Sequence, residues 1–340
     1  MKPRATAILL ALLWALSAGM ALAGDRTVTI GYQLVYNPWK VAMARKVLAK
    51  QTGYRVSYRR FDSPGKLLPA LASGQVQIGL LGSTGLTAAV SRGLNLELVW
   101  VGEVIAGAEA LVAREGSGVI APQDLKGKRI GAPFVSTTHF HLLFALEQFG
   151  IKTSEVNIMN LTPSAIVRAW EAGDLDAAFV WGPALSAIKK SGRVLITSGT
   201  LAGWGKPTFD GVVVKSEWAR ANPEFMKGLV KVADRYSAMY RADPRAWVPG
   251  SPWVADIVKM AGGNPADVPG ALAGYIFPGL AEQAGCAWLG CGPKGGAARA
   301  LASTADFLYK LEKIPNKLPD YSRHVNPKWA RMALADGAGK

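Results

Sequence analysis

Cysteine and histidine are scarce in this chain: two cysteines and three histidines stand among 340 residues. Two thiols are too few for a structural zinc site. His139 and His141 sit two positions apart, which on a helix points them about 200° from one another. No metal site is expected, and no cofactor. The chain also lacks a P-loop and the glycine fingerprint of dinucleotide-binding folds. It has no Gly-x-Ser-x-Gly elbow, and Cys286 has no histidine near it in sequence. Hydrolytic catalysis is therefore not expected.

Acidic residues are few beside basic ones, 24 against 39, which leaves a formal net charge of +15. The Lys and Arg residues are scattered and not clustered, so a solvated basic surface is the reading and nucleic acid is not an expected partner. Long uncharged apolar runs are missing after the N-terminus. The best candidate, Leu96 to Ala113, carries Glu97, Glu103 and Glu109, each costly at a bilayer centre.

The N-terminus is different. Lys2 and Arg4 precede an apolar run from Ala5 to Leu16, and Ala21-Leu22-Ala23 has the small-x-small form of a cleavage site. Residues 1–23 read as a signal peptide cut before Gly24. The residue after the cut is not cysteine, so no lipid anchor is expected. The mature chain, of net charge +13, is expected free in the periplasm of a two-membraned bacterium. In that oxidising compartment the short loop Gly285-Cys286-Ala287-Trp288-Leu289-Gly290-Cys291-Gly292 points to a Cys286–Cys291 disulfide, with two free thiols as the alternative.

What is abundant is alternation of strand-like and helix-like segments. Strands are expected at 27–32, 54–61, 76–81 and 96–101, with helices at 38–50, 65–72 and 84–91 between them. The order then restarts, with strands at 129–132, 156–161 and 177–181 and helices at 137–149, 164–172 and 183–191. A weak internal repeat aligns Leu71-Ala72-Ser73-Gly74-Gln75-Val76 with Trp170-Glu171-Ala172-Gly173-Asp174-Leu175. It makes the triplets Gly82-Ser83-Thr84 and Trp181-Gly182-Pro183 equivalent. From Ser216 onward the chain is mainly helical. Two such units predict two α/β lobes, each a mostly parallel sheet covered by helices. Ligands of such sheets bind beyond the carboxyl ends of the strands. The expected floor is thus Tyr32 and Gln33, Gly82 to Thr84, Pro133 to Thr138 and Trp181 to Pro183.

The segment Gly131-Ala132-Pro133-Phe134-Val135-Ser136-Thr137-Thr138-His139 joins a strand to a helix. Ser136, Thr137 and Thr138 suit an N-cap and first turn, where free N–H groups and the helix dipole favour a small oxyanion. The plain alternative is a capped helix that binds nothing. Glu109 and Asp210 each stand beside an apolar strand near an expected crossover between lobes, where an isolated acid is either a solvated strand end or an ammonium partner. Trp181, Trp204 and Tyr32 could face the same cation with their rings, or belong to the core.

These residues carry a resemblance. Gly31-Tyr32-Gln33, Leu81-Gly82-Ser83, Glu109-Ala110-Leu111-Val112, Pro133-Phe134-Val135-Ser136-Thr137-Thr138-His139, Val180-Trp181-Gly182-Pro183 and Trp204-Gly205-Lys206-Pro207-Thr208-Phe209-Asp210 resemble the nitrate/sulfonate/taurine family of solute-binding proteins of ABC importers, and its taurine branch. The likeness runs over almost all of the mature chain. It implies a two-lobed type II periplasmic binding fold, divided as 24–111, 112–209 and 210–340, that closes on its ligand. The implied ligand set is Tyr32, Gln33, Gly82, Ser83, Thr84, Glu109, Ser136, Thr137, Thr138, His139, Trp181, Trp204 and Asp210. Partners implied are taurine or a related sulfonate and a membrane permease with its ATPase, the protein itself being a monomer. Residues 284–296, with both cysteines, depart from the family pattern. Alternatives are other aliphatic sulfonates or nitrate, which lacks an ammonium and leaves both acids unexplained. An enzyme on the same fold, like the pyrimidine-precursor synthases of thiamine biosynthesis, is the reading of a different class.

Overall fold

The β-branched and apolar runs form strands that sort into two sheets. The structure, a computed structural model, describes residues 26–338, so the expected export segment 1–23 lies outside the described residues. The first sheet holds β1 (Thr27–Tyr32), β2 (Arg55–Arg60), β3 (Ile78–Gly82), β4 (Leu96–Ile105), β10 (Phe209–Lys215) and β11 (Tyr275–Ile276), in the order β11-β4-β10-β3-β1-β2. The second holds β5 (Glu109–Arg114), β6 (Arg129–Ala132), β7 (Asn157–Asn160), β8 (Ala177–Trp181) and β9 (Gly192–Thr197), in the order β7-β6-β8-β5-β9.

The two sheets follow one plan. β1, β2 and β3 are parallel, and the reversed strand β10 is inserted between β3 and β4. Likewise β6, β7 and β8 are parallel, and the reversed strand β5 is inserted between β8 and β9. Each reversed strand is the first one laid down after the chain crosses from the other sheet. The expected two-lobed α/β fold with helix-covered, mostly parallel sheets is what forms.

The crossings fall between β4 and β5, in residues 106–108, and between β9 and β10. The expected division after residue 111 thus lies inside β5, which belongs whole to the second sheet. The lobes meet closely at Gly182, whose φ of 57° is left-handed and where any Cβ would strike the Leu34 carbonyl. Glycine alone suits that position.

Some elements differ from expectation. The helix over 38–50 is two short helices, Trp39–Ala44 and Val47–Thr52, broken where Lys46 takes a φ of 53°. Strand β9 is additional. It lies at the sheet edge with Arg193 and Val194 exposed, so its apolar alternation is weak. Beyond Ser216 the chain is mainly helical, led by Pro223–Ala242, whose buried face includes Phe225, Leu229, Val232 and Tyr236. Cys286 and Cys291 are joined in a disulfide. Their loop packs behind β10, where Trp288 meets Phe209 edge to face with ring centroids 6.0 Å apart. Among the described residues, no helix is long and apolar enough to cross a membrane.

Candidate functional site

The common plan of the sheets puts one acid at the same place in each lobe. Glu109 opens β5 and pairs with Trp181, the last residue of β8. Asp210 stands near the start of β10 and pairs with Gly82, the last residue of β3. Gly82 and Trp181 are the equivalent ends of the repeat. Both acids therefore reach the carboxyl ends of the parallel strands, where the lobes face one another. Between them lies a narrow pocket lined by Gln33, Val35, Pro64, Gly82, Glu109, Ser136, Thr137, Trp181 and Asp210.

The start of the helix Thr137–Gln148 forms one wall. Ser136 is its N-cap, accepting from the His139 N–H at 3.1 Å. The turn before it is strained, with the β-branched Val135 at a φ of 65°. The hydroxyls are committed within the protein. Ser136 donates to the Pro133 carbonyl at 2.5 Å and lies 2.8 Å from the Thr138 hydroxyl. Thr137 donates to Glu109 Oε1 at 2.5 Å. What the turn still offers an anion is its first backbone N–H groups, which a helix leaves without internal partners.

Burial dominates the electrostatics. Glu109 is 2 % exposed, and its carboxyl is pushed up to about 8, first by desolvation and then by the Asp210 charge. Thr137 and Ser198 hold it partly back by hydrogen bonding. Asp210 is only partly exposed, and its carboxyl is raised by desolvation and drawn down by Lys40. Lys40 is fully buried, its ammonium 4.6 Å from the centre of the Tyr32 ring. Its pKa is lowered by burial, against the pull of Glu103 and Asp210. Glu103, 3 % exposed, is raised by burial and by Asp210, and accepts from Asn37 Nδ2 at 2.8 Å. Two acids, Glu103 and Asp210, thus gather around one lysine, and Glu109 faces Asp210 from the other lobe. A buried surplus of negative charge is costly unless a cation joins it.

The thirteen expected residues do not all meet. Gln33, Gly82, Glu109, Ser136, Thr137, Trp181 and Asp210 line the cavity. Gln33 Nε2 donates to the Leu80 carbonyl at 3.3 Å, and its Oε1 is buried with no hydrogen-bond partner. Tyr32 lies beside them, but a cation of the protein already occupies its ring face. The Ser83 hydroxyl accepts from the Phe209 N–H at 3.3 Å, stitching β10 to the helix that follows β3. Thr84 Oγ1 is buried without a partner, and the Thr138 hydroxyl faces Ser136. His139 stacks on Phe134 with centroids 4.2 Å apart, its pKa lowered to about 4 by burial and by Lys313. Trp204 is 47 % exposed at the end of the helix Ser198–Gly203 and does not line the cavity. A loop rich in glycine carries it out to solvent.

Sequence reasoning missed Val35 and Pro64 on the cavity wall, and Lys40, Asn37 and Glu103 behind it. Lys40 was legible as a lone charge in the apolar helix Trp39–Ala44. Glu103 was legible as one of two acids, with Glu97, inside the apolar run of β4.

The family model described as NMT1/THI5 like matches residues 50–246. The taurine-binding periplasmic protein of Escherichia coli (strain K12) is 39% identical over 304 residues, 89% of this chain and 92% of that protein. The alkanesulfonate-binding protein SsuA from Xanthomonas axonopodis pv. citri, bound to MOPS, has a TM-score of 0.72 at 22% identity, covering 89% of this chain and 97% of SsuA. A mutant of DSZB in complex with biphenyl-2-sulfinic acid has a TM-score of 0.65 at 15% identity, covering 91% of this chain and 99% of that one. These two solved structures share the fold.

Proposed function

The chain belongs to the NMT1/THI5-like family, and from that premise we propose that it is a periplasmic solute-binding protein that holds taurine between its lobes for an ABC importer. The observation that carries the proposal is the pairing of Glu109 and Asp210 at equivalent strand ends, facing the N-terminus of the helix Thr137–Gln148. Taurine is a zwitterion. Its ammonium sits against the two acids and stabilises their ionised forms. Its sulfonate meets the first-turn N–H groups and the positive end of the helix dipole. Trp181 and Gln33 close the walls. The lobes divide at the two crossings, and closure brings Glu109 and Asp210 to one ligand. The protein acts as a monomer, with the permease and its ATPase as partners.

Two readings compete. A sulfonate without an amine, or nitrate, fills the helix end but leaves the acids uncompensated. An enzyme, like DSZB in fold, needs a reactive group at the cavity. The lining residues offer carboxyl and hydroxyl groups but neither cysteine nor histidine. Thermal melts in the three solutes separate these readings. A ligand of the native state at a hundredfold excess over Kd stabilises by about 2.7 kcal/mol. Taurine is expected to raise the melting temperature more than ethanesulfonate, and nitrate least. An equal rise with taurine and ethanesulfonate removes the acids from the site, and chemical change of taurine on incubation supports the enzyme.

A further inference from the structure

Behind Glu109 runs a chain of hydrogen bonds that holding a ligand does not by itself require. The Thr137 hydroxyl meets Glu109 Oε1 at 2.5 Å, and Glu109 Oε2 lies 3.0 Å from Ser198 Oγ. Ser198 Oγ lies 2.7 Å from His141 Nδ1, and His141 Nε2 lies 2.8 Å from the Lys206 carbonyl oxygen. Glu109, Ser198 and His141 are all buried. They come from β5, from the first residue of the helix Ser198–Gly203 and from the helix Thr137–Gln148.

Each of the four contacts needs one hydrogen. A carbonyl oxygen only accepts, so His141 Nε2 must carry one. Thr137 supplies the hydrogen to Oε1. Ser198 has a single hydroxyl hydrogen, which serves Glu109 or His141 but not both. If Ser198 donates to Glu109, then His141 Nδ1 must also carry a hydrogen, and the ring is an imidazolium. If Ser198 donates to His141, then Glu109 Oε2 must carry the hydrogen, and the group is a neutral acid. Either way, the fully bonded chain holds one proton more than a carboxylate and a neutral imidazole supply.

We infer that Glu109 and His141 share this proton through Ser198, and that an ammonium seated at Glu109 drives it from the carboxyl to the imidazole. In the transfer Glu109 Oε2 gives its proton to Ser198 Oγ while Ser198 gives its own to His141 Nδ1. No proton leaves the protein, and every contact stays bonded. Glu109 is a neutral acid in the unliganded protein and a carboxylate against the ligand cation. Ser198 and His141 are positioning residues. They do not touch the ligand, but they set the charge of the group that does.

The surroundings favour the same order. Without a cation, burial raises the Glu109 carboxyl to about 8 and lowers His141 to about 4, so the proton belongs on Glu109. Asp210 on β10 and Tyr275 on β11 face Glu109, with Glu103 on β4 and Lys40 on the helix Trp39–Ala44 interacting through Asp210. His141 is faced by the rings of Phe140 and Phe179, by Ser198 and by the Lys206 carbonyl.

The inference rests on the ammonium site proposed above, and the experiment separates the two. Nitrogen NMR of the histidine rings, with the His141 signals assigned by their loss in His141→Asn, is recorded on the free protein, with taurine and with ethanesulfonate. Expected are a neutral His141 with its hydrogen on Nε2 in the free protein, an imidazolium with taurine, and a neutral ring with ethanesulfonate. Calorimetry at pH 7 in buffers of different ionisation enthalpy counts the protons exchanged. Ser198→Ala is expected to release close to one proton more per taurine than the wild type, because its Glu109 proton has no route to His141. A neutral His141 in the taurine complex, or equal release by wild type and Ser198→Ala, overturns the relay. A free protein with the His141 hydrogen on Nδ1 overturns it without any ligand. If taurine gives neither heat nor shift, the functional reading has failed, and the free-state tautomer alone then decides whether the chain holds its proton on Glu109.

Discussion

Asp210 lies directly across the ladder from Gly82, and a methyl group on Gly82 would stand 3.2 Å from Asp210 Oδ1 and 3.0 Å from Thr137 Cγ2. Gly82 has an extended backbone, φ −65° and ψ 149°, that any residue adopts. Its lack of a side chain thus serves the space between the lobes and not the turn. Gly82→Ala is expected to leave the fold intact and to weaken taurine binding about tenfold or more, since overpacking a tight site costs roughly 1–3 kcal/mol. Calorimetry and a thermal melt check both parts.

Thr137 tests the division of labour within the site. Its hydroxyl is committed to Glu109 and not free for an oxyanion. Thr137→Ala removes one hydrogen bond to the ammonium partner, worth about 1 kcal/mol, so taurine affinity should fall about fivefold. Ethanesulfonate affinity should change less, because the first-turn N–H groups remain. Equal losses for both ligands would return the hydroxyl to the sulfonate.

The buried acids make stability fall with pH. Glu109 titrates at about 8 in the folded chain, far above its ordinary 4.5. Between pH 6.5 and 8 the folded state therefore holds a proton that the unfolded state has lost, and unfolding becomes easier as pH rises. The limit is about 1.4 kcal/mol per pH unit for one such group. His139 and His141, both lowered to about 4, pull the other way only below their ordinary 6.5. Denaturant unfolding of ligand-free protein at pH 6.5 and 8 should show the loss, and Glu109→Gln should reduce it. A flat profile in the wild type would mean that Glu109 is ionised throughout.

The Cys286–Cys291 bond closes a short loop behind β10. Its entropic contribution is modest, about 2 kcal/mol. Replacing both cysteines by serine should lower the melting temperature by a few degrees and leave taurine affinity within about twofold, since neither residue lines the cavity. A large loss of affinity would show that Trp288 holds Phe209, and with it Asp210, in place.

Most of the fold was legible because strand and helix periods alternate cleanly and the repeat marks equivalent strand ends. β9 was not, since Arg193 and Val194 of that edge strand face solvent and its apolar alternation is weak. Glu109 and Asp210 could be found as lone acids beside apolar strands. Their pairing with Trp181 and Gly82 needed the sheet register. Ser198 and His141 were hidden for another reason. Each is a single polar residue whose partners are distant in sequence, and only the packing of the helices Thr137–Gln148 and Ser198–Gly203 on β5 brings them to Glu109. Trp204 misled because its neighbours in sequence matched the resemblance, while its side chain stands at the surface.

The ratio of taurine to ethanesulfonate affinity, measured by calorimetric titration of the wild type and of Asp210→Asn, bears most directly on the proposed site. A charge-assisted hydrogen bond is worth roughly 1.5–3 kcal/mol, so the wild type should prefer taurine by about tenfold to a hundredfold. Asp210→Asn keeps the shape and removes the charge, and should narrow that preference by a similar factor. Equal affinities of the wild type for the two ligands, or a ratio that Asp210→Asn leaves unchanged, would contradict a site built to hold an ammonium between Glu109 and Asp210.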